Sequence, residues 1–429
     1  MFRTLFLTFE EARSIAEAYG TPTFVYDEAL LKERAAEFLS IRLPFGFTPR
    51  YAMKANPHKY ILSLFDALGL HIDASSGYEA NRALACGVDA SKIRITAQEL
   101  PIDLDALVGK GCLFTACSLF QLKTFGERFP GSRVAIRVNP GIDAGGNHKV
   151  DTAGPLCGFG IWHEDLPEVM RIAKEHNLII DCVHTHIGSG TKPYLWSAAA
   201  KQTLSIVEAL PSVSRMNLGG GFKVARMPAE ETVDIGGCGE EVAKSVEEFF
   251  ARTKRRIRVE LEPGTFLVAQ AGVLLSRIVD KTRTNTHTFL KLDCGLTEIA
   301  RPTMYGAQHY LSAVLPAGGE GDKNASGKDG LGSATGSATE PVVVIGHCCE
   351  SSDLLTSDPA NPAYPSEREL PKREPGDFVL VHGAGAYCSA MAFEGYNSFP
   401  PAAEVVLRDG KFFLISERGS VAGLMSRER

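Results

Sequence analysis

No run of about 18 apolar residues occurs anywhere in this 429-residue chain, so no segment reads as a helix long enough to cross a bilayer. Its 10 cysteines include no C-x-x-C pair and no Cys/His metal spacing. That pattern excludes the usual zinc motifs and a disulfide framework, and fits thiols kept reduced in a cytosol. Long Lys/Arg runs are missing too. The densest basic cluster is Lys254-Arg255-Arg256, and against a net charge of -6 it gives no footprint for a nucleic acid. The opening stretch is apolar only briefly before Glu10 and Glu11, too short for a secretion signal. A cytoplasmic protein with no membrane and no nucleic-acid partner is expected, and no internal repeat is apparent.

What the chain does have is alternation. With 44% hydrophobic and 22% charged residues it is globular, and its length calls for two domains. Apolar runs with strand character fall at 50–53, 71–74, 92–96, 112–116, 133–138, 178–185, 213–218 and 257–261. Between them helical spacing appears at 60–68, 78–86, 166–176, 196–210 and 240–253. Eight such units suit a (β/α)8 TIM-type barrel, although an open doubly wound sheet would alternate in the same way. The strand ends favour closure. Lys54, Asp73, Arg137, His186, Gly219-Gly220-Gly221 and Glu262 all stand at or near them, and only a ring brings six such positions to one mouth. Past Gly264 the alternation stops, and strand candidates at 273–280, 288–293, 310–314, 341–346, 378–382, 403–408 and 411–416 predict an all-β domain. The expected boundaries are an N-terminal segment, 1–27, packing with the β domain, a barrel at 28–270, and the β domain at 271–429. A Gly/Ser/Ala-rich insertion at 316–340 is expected to be disordered.

Taken alone, each strand-end residue has an ordinary structural reading: a lysine snorkelling from a strand, a tight glycine turn, a satisfied core histidine. Together they suggest one chemistry. Lys54 supplies an amine at the end of a buried strand, just before the Asn56-Pro57 turn. Gly219-Gly220-Gly221 frees backbone N–H groups to approach a phosphate, and Glu262-Pro263-Gly264 adds a carboxylate beside a second bare backbone. Amine, phosphate loop and acid are what pyridoxal 5'-phosphate needs: a Schiff-base partner, a phosphate cradle and a group that keeps its ring nitrogen protonated.

The chain resembles the fold-type III PLP-dependent decarboxylases, and within them the branch that acts on diaminopimelate. The likeness runs through YAMKAN at Lys54, RVNPG at Arg137, FGIWHEDLP from Phe159, HTHIGSG at His186, NLGGGF at Gly219, ELEPG at Glu262, RPTMYGAQH at Arg301, CESSD at Cys349 and GAYCSAM at Tyr387. The resemblance implies that Lys54 is the Schiff-base lysine, His186 stacks on the cofactor ring and Glu262 pairs with its nitrogen. Asp73 and Arg137 would join the cofactor site, with Gly219, Gly220, Gly221, Gly264, Ser189 and Tyr387 around the phosphate. Arg301 and Tyr305 would hold a distal substrate carboxylate, Glu350 a distal amine, and Cys349 would reach in from the second subunit of a homodimer to deliver a proton. The implied reaction releases CO2 from an amino-acid substrate, meso-2,6-diaminopimelate, to leave L-lysine. Three positions depart from the family pattern: Thr265, Gly158 and Phe399 stand where arginine, lysine and arginine are usual. A decarboxylase for another amino acid or a carboxylated polyamine, an amino-acid racemase and a non-catalytic PLP-binding relative remain open alternatives.

Overall fold

The structure, a computed structural model, describes residues 4–141, 153–186, 189–315 and 338–429, which form two units. The strand β1 (Thr23–Asp27) belongs to the second of them. The first unit, Glu33–Lys223 with Val233–Leu267, is the barrel. Its strands are β2 (Phe47–Ala52), β3 (His71–Ala74), β4 (Ile93–Ile95), β5 (Leu113–Ala116), β6 (Arg133–Asn139), β8 (Ile179–His184), β9 (Arg215–Asn217) and β10 (Arg258–Leu261), with a two-residue β7 (Ile161–Trp162) attached to β6 alone. Every neighbouring pair is parallel. The β5–β6 and β10–β2 pairings complete the ring, so the sheet is closed and the open-sheet alternative falls away.

Local chemistry sets the crossovers. After β3 the Ser76 hydroxyl accepts the Glu79 N–H (3.0 Å) while the Glu79 carboxylate accepts the Ser75 N–H (2.6 Å). After β5, Ser118 and Gln121 repeat the arrangement at 3.1 and 2.7 Å, starting helices Gly77–Ala85 and Leu119–Arg128. Helix Ile235–Thr253 begins five residues before the expected 240, because Asp234 caps the Gly237 N–H and Gly239 lies close against Ile41. Its glycines read as helix-breaking in isolation, but here they permit close packing. Inside the ring, Arg50 and Arg94 converge on Glu260, with Arg50 Nε at 2.6 Å from Oε2 and both Arg94 contacts at 3.1 Å. All three side chains are buried. Burial opposes ionisation of Glu260, yet the Arg94 and Arg50 guanidiniums outweigh it and hold the carboxyl well below its usual range.

The second unit comprises residues up to Lys32, Val224–Thr232 and Val268–Arg429. Its strands are β1, β11 (Gly272–Arg283), β12 (Thr288–Leu292), β13 (Leu311–Ala313), β14 (Thr339–Ile345), β15 (Arg368–Pro371), β16 (Phe378–His382), β17 (Ala403–Arg408) and β18 (Lys411–Ser416). The path runs β15-β14-β12-β11-β1-β17-β18, with β16 on β11 and β13 on β16. β1 pairs antiparallel with β11 and parallel with β17, so the N-terminal segment is an inner strand of this sheet. Leu5, Leu7, Ile15, Val25, Val273, Leu275, Phe378, Leu380 and Val405 form its core.

Three boundaries differ from expectation. Val224–Thr232, read as barrel, belongs to the β unit, where Arg226 O accepts the Tyr310 N–H (3.1 Å) and Ala225 O accepts Gln270 Nε2 (2.9 Å). Unit limits lie at Lys32 and Leu267 rather than 27 and 270. The insertion expected at 316–340 has 316–337 outside the described residues, while Thr339 and Glu340 pair with Pro371 and Leu370 in β14–β15. Helix Phe9–Tyr19, with a Thr8/Glu11 capping box, and strand β15 are additions to the sequence reading.

Glu260→Gln strands two buried guanidiniums without a counter-charge, so a loss of about 3–5 kcal/mol in urea unfolding at pH 7 is expected. The ion cluster contributes above the usual carboxyl pKa and is lost as pH falls toward the depressed one, so the variant's deficit should shrink in acid. A deficit unchanged from pH 7 down to acid would contradict this account.

Candidate active site

Five barrel strands, β2, β3, β6, β8 and β10, carry a candidate polar residue at or near their ends. After β2, Met53 and Ala55 are buried in a 3-10 turn while Lys54 between them is exposed. The turn is anchored on both sides: Ala52 N–H donates to Pro263 O (3.3 Å), and the Tyr51 hydroxyl to Asn56 O (2.9 Å). Asp73 lies buried in β3, and Oδ1 has no hydrogen-bond partner among the described residues. Arg137 in β6 lays its guanidinium over the Phe159 ring, 4.9 Å from the centroid. His186 follows β8, and Glu262 closes β10.

The glycine turn is shaped by these neighbours. A Cβ at Gly219 (φ +68°) would come within 2.4 Å of His186 Nδ1, and one at Gly220 within 2.6 Å of Glu262 O. Gly219 N–H donates to Asn217 Oδ1 (2.8 Å), and Glu262 N–H to Gly219 O (2.8 Å). Asn217 Nδ2 donates to Glu262 Oε1. Gly221 O accepts the Gly190 N–H (2.9 Å) and the Ser189 hydroxyl (3.2 Å), and Gly264 O accepts the Leu267 N–H (3.1 Å). Asn217 was not singled out from the sequence. Its only signal there is a polar side chain two residues before Gly219, at the end of a buried strand.

The electrostatics tie the cluster together. Burial first, then the Asp73 carboxylate, push Glu262 up to about 8. Asp73 is raised by burial against the pull of Lys54. Burial thus works against ionisation of both acids. Burial, then the charges of Arg137 and Lys54, push His186 down to about 3, so its ring is neutral. His184, also missed, has both ring nitrogens buried without hydrogen bonds among the described residues, and Nε2 stands 3.6 Å from Glu262 Oε2. Lys54, Asp73, Arg137, His186, Gly219–Gly221 and Glu262 therefore belong to one cluster. A backbone cradle closed to any side chain, an amine and a buried acid able to give up a proton are a donor set that fits PLP.

The remaining candidates lie in the β unit. Arg301 opens helix Arg301–Tyr305, and its Nη1 lies 3.3 Å from His309 Nε2. The His309 Nδ1–H donates to His382 O (2.7 Å), which leaves Nε2 as acceptor for the arginine. The Tyr305 hydroxyl lies 4.0 Å from Met391 Sδ. Tyr387 is held at φ +57°, a left-handed conformation uncommon for a bulky residue and enriched at functional sites. Cys349 is exposed, with its N–H on Asn397 Oδ1 (2.9 Å), whereas burial pushes the neighbouring Cys348 thiol up to about 12. Glu350 is exposed, accepts from Ser352 N–H (3.1 Å) and Tyr396 hydroxyl (3.3 Å), and is held below its usual value, chiefly by the Ser352 N–H.

No helix among the described residues is long and apolar enough to cross a membrane. Residues 30–269 match the family model for the pyridoxal binding domain of pyridoxal-dependent decarboxylases. Diaminopimelate decarboxylase of Escherichia coli K12 is 30% identical over 428 residues, covering 98% of this chain and 97% of that protein. The Streptomyces coelicolor enzyme of the same name is 32% identical, with 96% and 90% covered. A crystal structure of a diaminopimelate decarboxylase superposes with a TM-score of 0.87 at 29% identity, covering 98% of this chain and 96% of that one. The Helicobacter pylori enzyme in complex with L-lysine gives 0.83 at 25%, with 97% and 98% covered. A match over more than half the chain, joined to near-full-length identity at this level, makes the chain a member of the pyridoxal-dependent decarboxylase family.

Proposed function

We propose that this protein decarboxylates the D-configured centre of meso-2,6-diaminopimelate, releasing CO2 and L-lysine, with pyridoxal 5'-phosphate as cofactor. The observation that carries the reading is the meeting, at one end of the ring, of Lys54, the Asp73–Glu262 acid pair and the Gly219–Gly221 turn. Once bound, the cofactor supplies an electron-poor ring that accepts the electron pair left behind by the departing carboxylate. Lys54 would hold the cofactor through its amine. Glu262, braced by Asn217, would hold the proton that the ring nitrogen needs. The neutral His186 ring offers a flat face for stacking, and Arg137 balances negative charge nearby. Gly219, Gly220, Gly221, Gly264, Ser189 and Tyr387 are assigned to the phosphate.

Cys349 is assigned the proton returned to the carbon that has lost CO2, acting from the partner in a homodimer. Its exposure supports that role, while the half-buried Cys348 thiol, pushed up to about 12, does not suit it. Arg301 and Tyr305 are assigned to the distal carboxylate and Glu350 to the distal amine, charges that match a guanidinium and an acid. Thr265, Gly158 and Phe399 favour a second reading, a decarboxylase for a different amino acid. Lysine release from meso-diaminopimelate, measured against a panel of other amino acids, decides between them.

Lys54→Ala should abolish the visible absorbance of bound cofactor and turnover together, and turnover retained in that variant would refute the mechanism. Cys349→Ala should lower kcat at least tenfold with cofactor content unchanged, whereas Cys348→Ala should leave kcat within about twofold. For Glu262 the folded-state pKa is raised from 4.5 to about 8, so the folded apoprotein binds the proton more tightly than the unfolded chain. That contribution is complete below the unfolded pKa and disappears as pH rises through the folded one. Thermal unfolding of the apoprotein between pH 5 and about 8.5 should therefore show a decline that Glu262→Gln flattens. Parallel curves for the two proteins would rule the acid pair out as its source.

A further inference from the structure

His184 has no part in the reaction as assigned, yet it stands against the acid on which that reaction depends. It closes β8 with its side chain 4% exposed, and both it and Glu262 lie within the barrel unit. Its backbone is in register with Arg137 of β6 on one side and with Asn217 of β9 on the other. Asn217 Nδ2 donates to Glu262 Oε1, and His184 Nε2 stands 3.6 Å from the second oxygen, Oε2. Adjacent strands thus bring one side chain to each oxygen of the same carboxyl.

Both His184 nitrogens are buried and make no hydrogen bond among the described residues. Two buried histidines of the β unit are tied by comparison: His309 Nδ1–H donates to His382 O (2.7 Å), and the His382 ring meets Thr4 Oγ1 (2.9 Å) and Ser312 Oγ (2.7 Å). A buried ring with two idle nitrogens is costly unless something uses them. A separation of 3.6 Å is only just outside hydrogen-bond reach, and catalytic contacts of this kind tighten once the reactants are in place. Besides Glu262, the charged and titratable groups around the ring are Glu260 from β10, Arg137 from β6, Arg94 from β4 and His186 just beyond β8. Burial first, then the Arg137 charge, hold His184 well below its usual range, so the ring is neutral. A neutral ring can hold a carboxyl without ionising it, whereas the guanidiniums of Arg50 and Arg94 keep Glu260 charged.

We propose that His184 is a positioning residue for Glu262: its Nε2 holds Oε2 as Asn217 holds Oε1, fixing the plane of the carboxyl that serves the cofactor ring nitrogen. The inference rests on the assignment of Glu262 to that nitrogen. Nε2 accepts from the protonated carboxyl, so the imidazole carries its own proton on Nδ1. A cation at this position would ionise the acid, and an apolar side chain would leave the carboxyl free to turn.

Full-length apoprotein, as wild type, His184→Asn and His184→Gln, should be titrated by calorimetry with pyridoxal 5'-phosphate and with the analogue in which CH replaces the ring nitrogen. The analogue keeps the aldehyde and the phosphate but gives Glu262 no nitrogen to hold, so it separates a role through the acid from a general effect on folding. His184→Asn, whose amide is too short to reach Oε2, is expected to weaken pyridoxal 5'-phosphate binding about tenfold and to leave the analogue within about twofold. His184→Gln places an amide where Nε2 was and should recover most of the loss. In the loaded enzyme, kcat for His184→Asn should fall about tenfold. Equal weakening of both ligands would make His184 a packing residue and overturn the proposal, as would unchanged binding of pyridoxal 5'-phosphate. Should His184→Asn not fold, His184→Phe, which fills the volume of the ring, is read by the same contrast. A wild type with no preference for pyridoxal 5'-phosphate over the analogue would remove Glu262 from the ring nitrogen, and the proposal with it. If the contrast holds but the wild type leaves meso-diaminopimelate untouched, the substrate reading fails while the role of His184 stands.

Discussion

A carboxyl group shut away from water and placed beside a second one is the constraint from which the barrel site follows. Glu262 cannot ionise freely in that position, because burial and Asp73 both act against its charge. Asn217 keeps the acid in place by donating to its carboxylate, and holds the glycine turn by accepting from Gly219. One side chain thus sets the acid and the glycine turn in register. Moving either would move both.

Deeper in the ring the opposite solution is used. Glu260 lies two residues before Glu262, within β10, but faces Arg50 and Arg94 and is held ionised. Two acids so close in the chain are thus pushed in opposite directions by the neighbours that surround them. The lower one is matched by guanidiniums and serves the barrel. The upper one is left partly unmatched and is suited to exchange a proton.

The β unit sets its guanidiniums on neutral acceptors instead. There Arg226 donates to backbone carbonyls, and His309, fixed in one tautomer by His382 O, faces Arg301. Tyr387 is held in a left-handed backbone conformation beside this group, in the turn whose carbonyls take the Arg226 guanidinium. The unit can present this array because β1, from the start of the chain, lies between β11 and β17 and ties distant segments into one sheet.

The amino-acid sequence by itself determined the alternation of strands and helices, the change to β structure after the barrel, and the strand-end positions of Lys54, Asp73, Arg137, His186 and Glu262. These are local signals, written in periodicity and in the residue types that end strands. Its reading stopped short at helix Phe9–Tyr19, at the early start of Ile235–Thr253 and at β15, where capping partners and close packing outweigh propensity. Only the tertiary structure decided that the sheet closes, that Val224–Thr232 belongs to the β unit, and that Asn217 and His184 stand against Glu262. Ring closure is a pairing of residues far apart in the chain, and the charge of a buried group depends on neighbours that sequence order does not reveal.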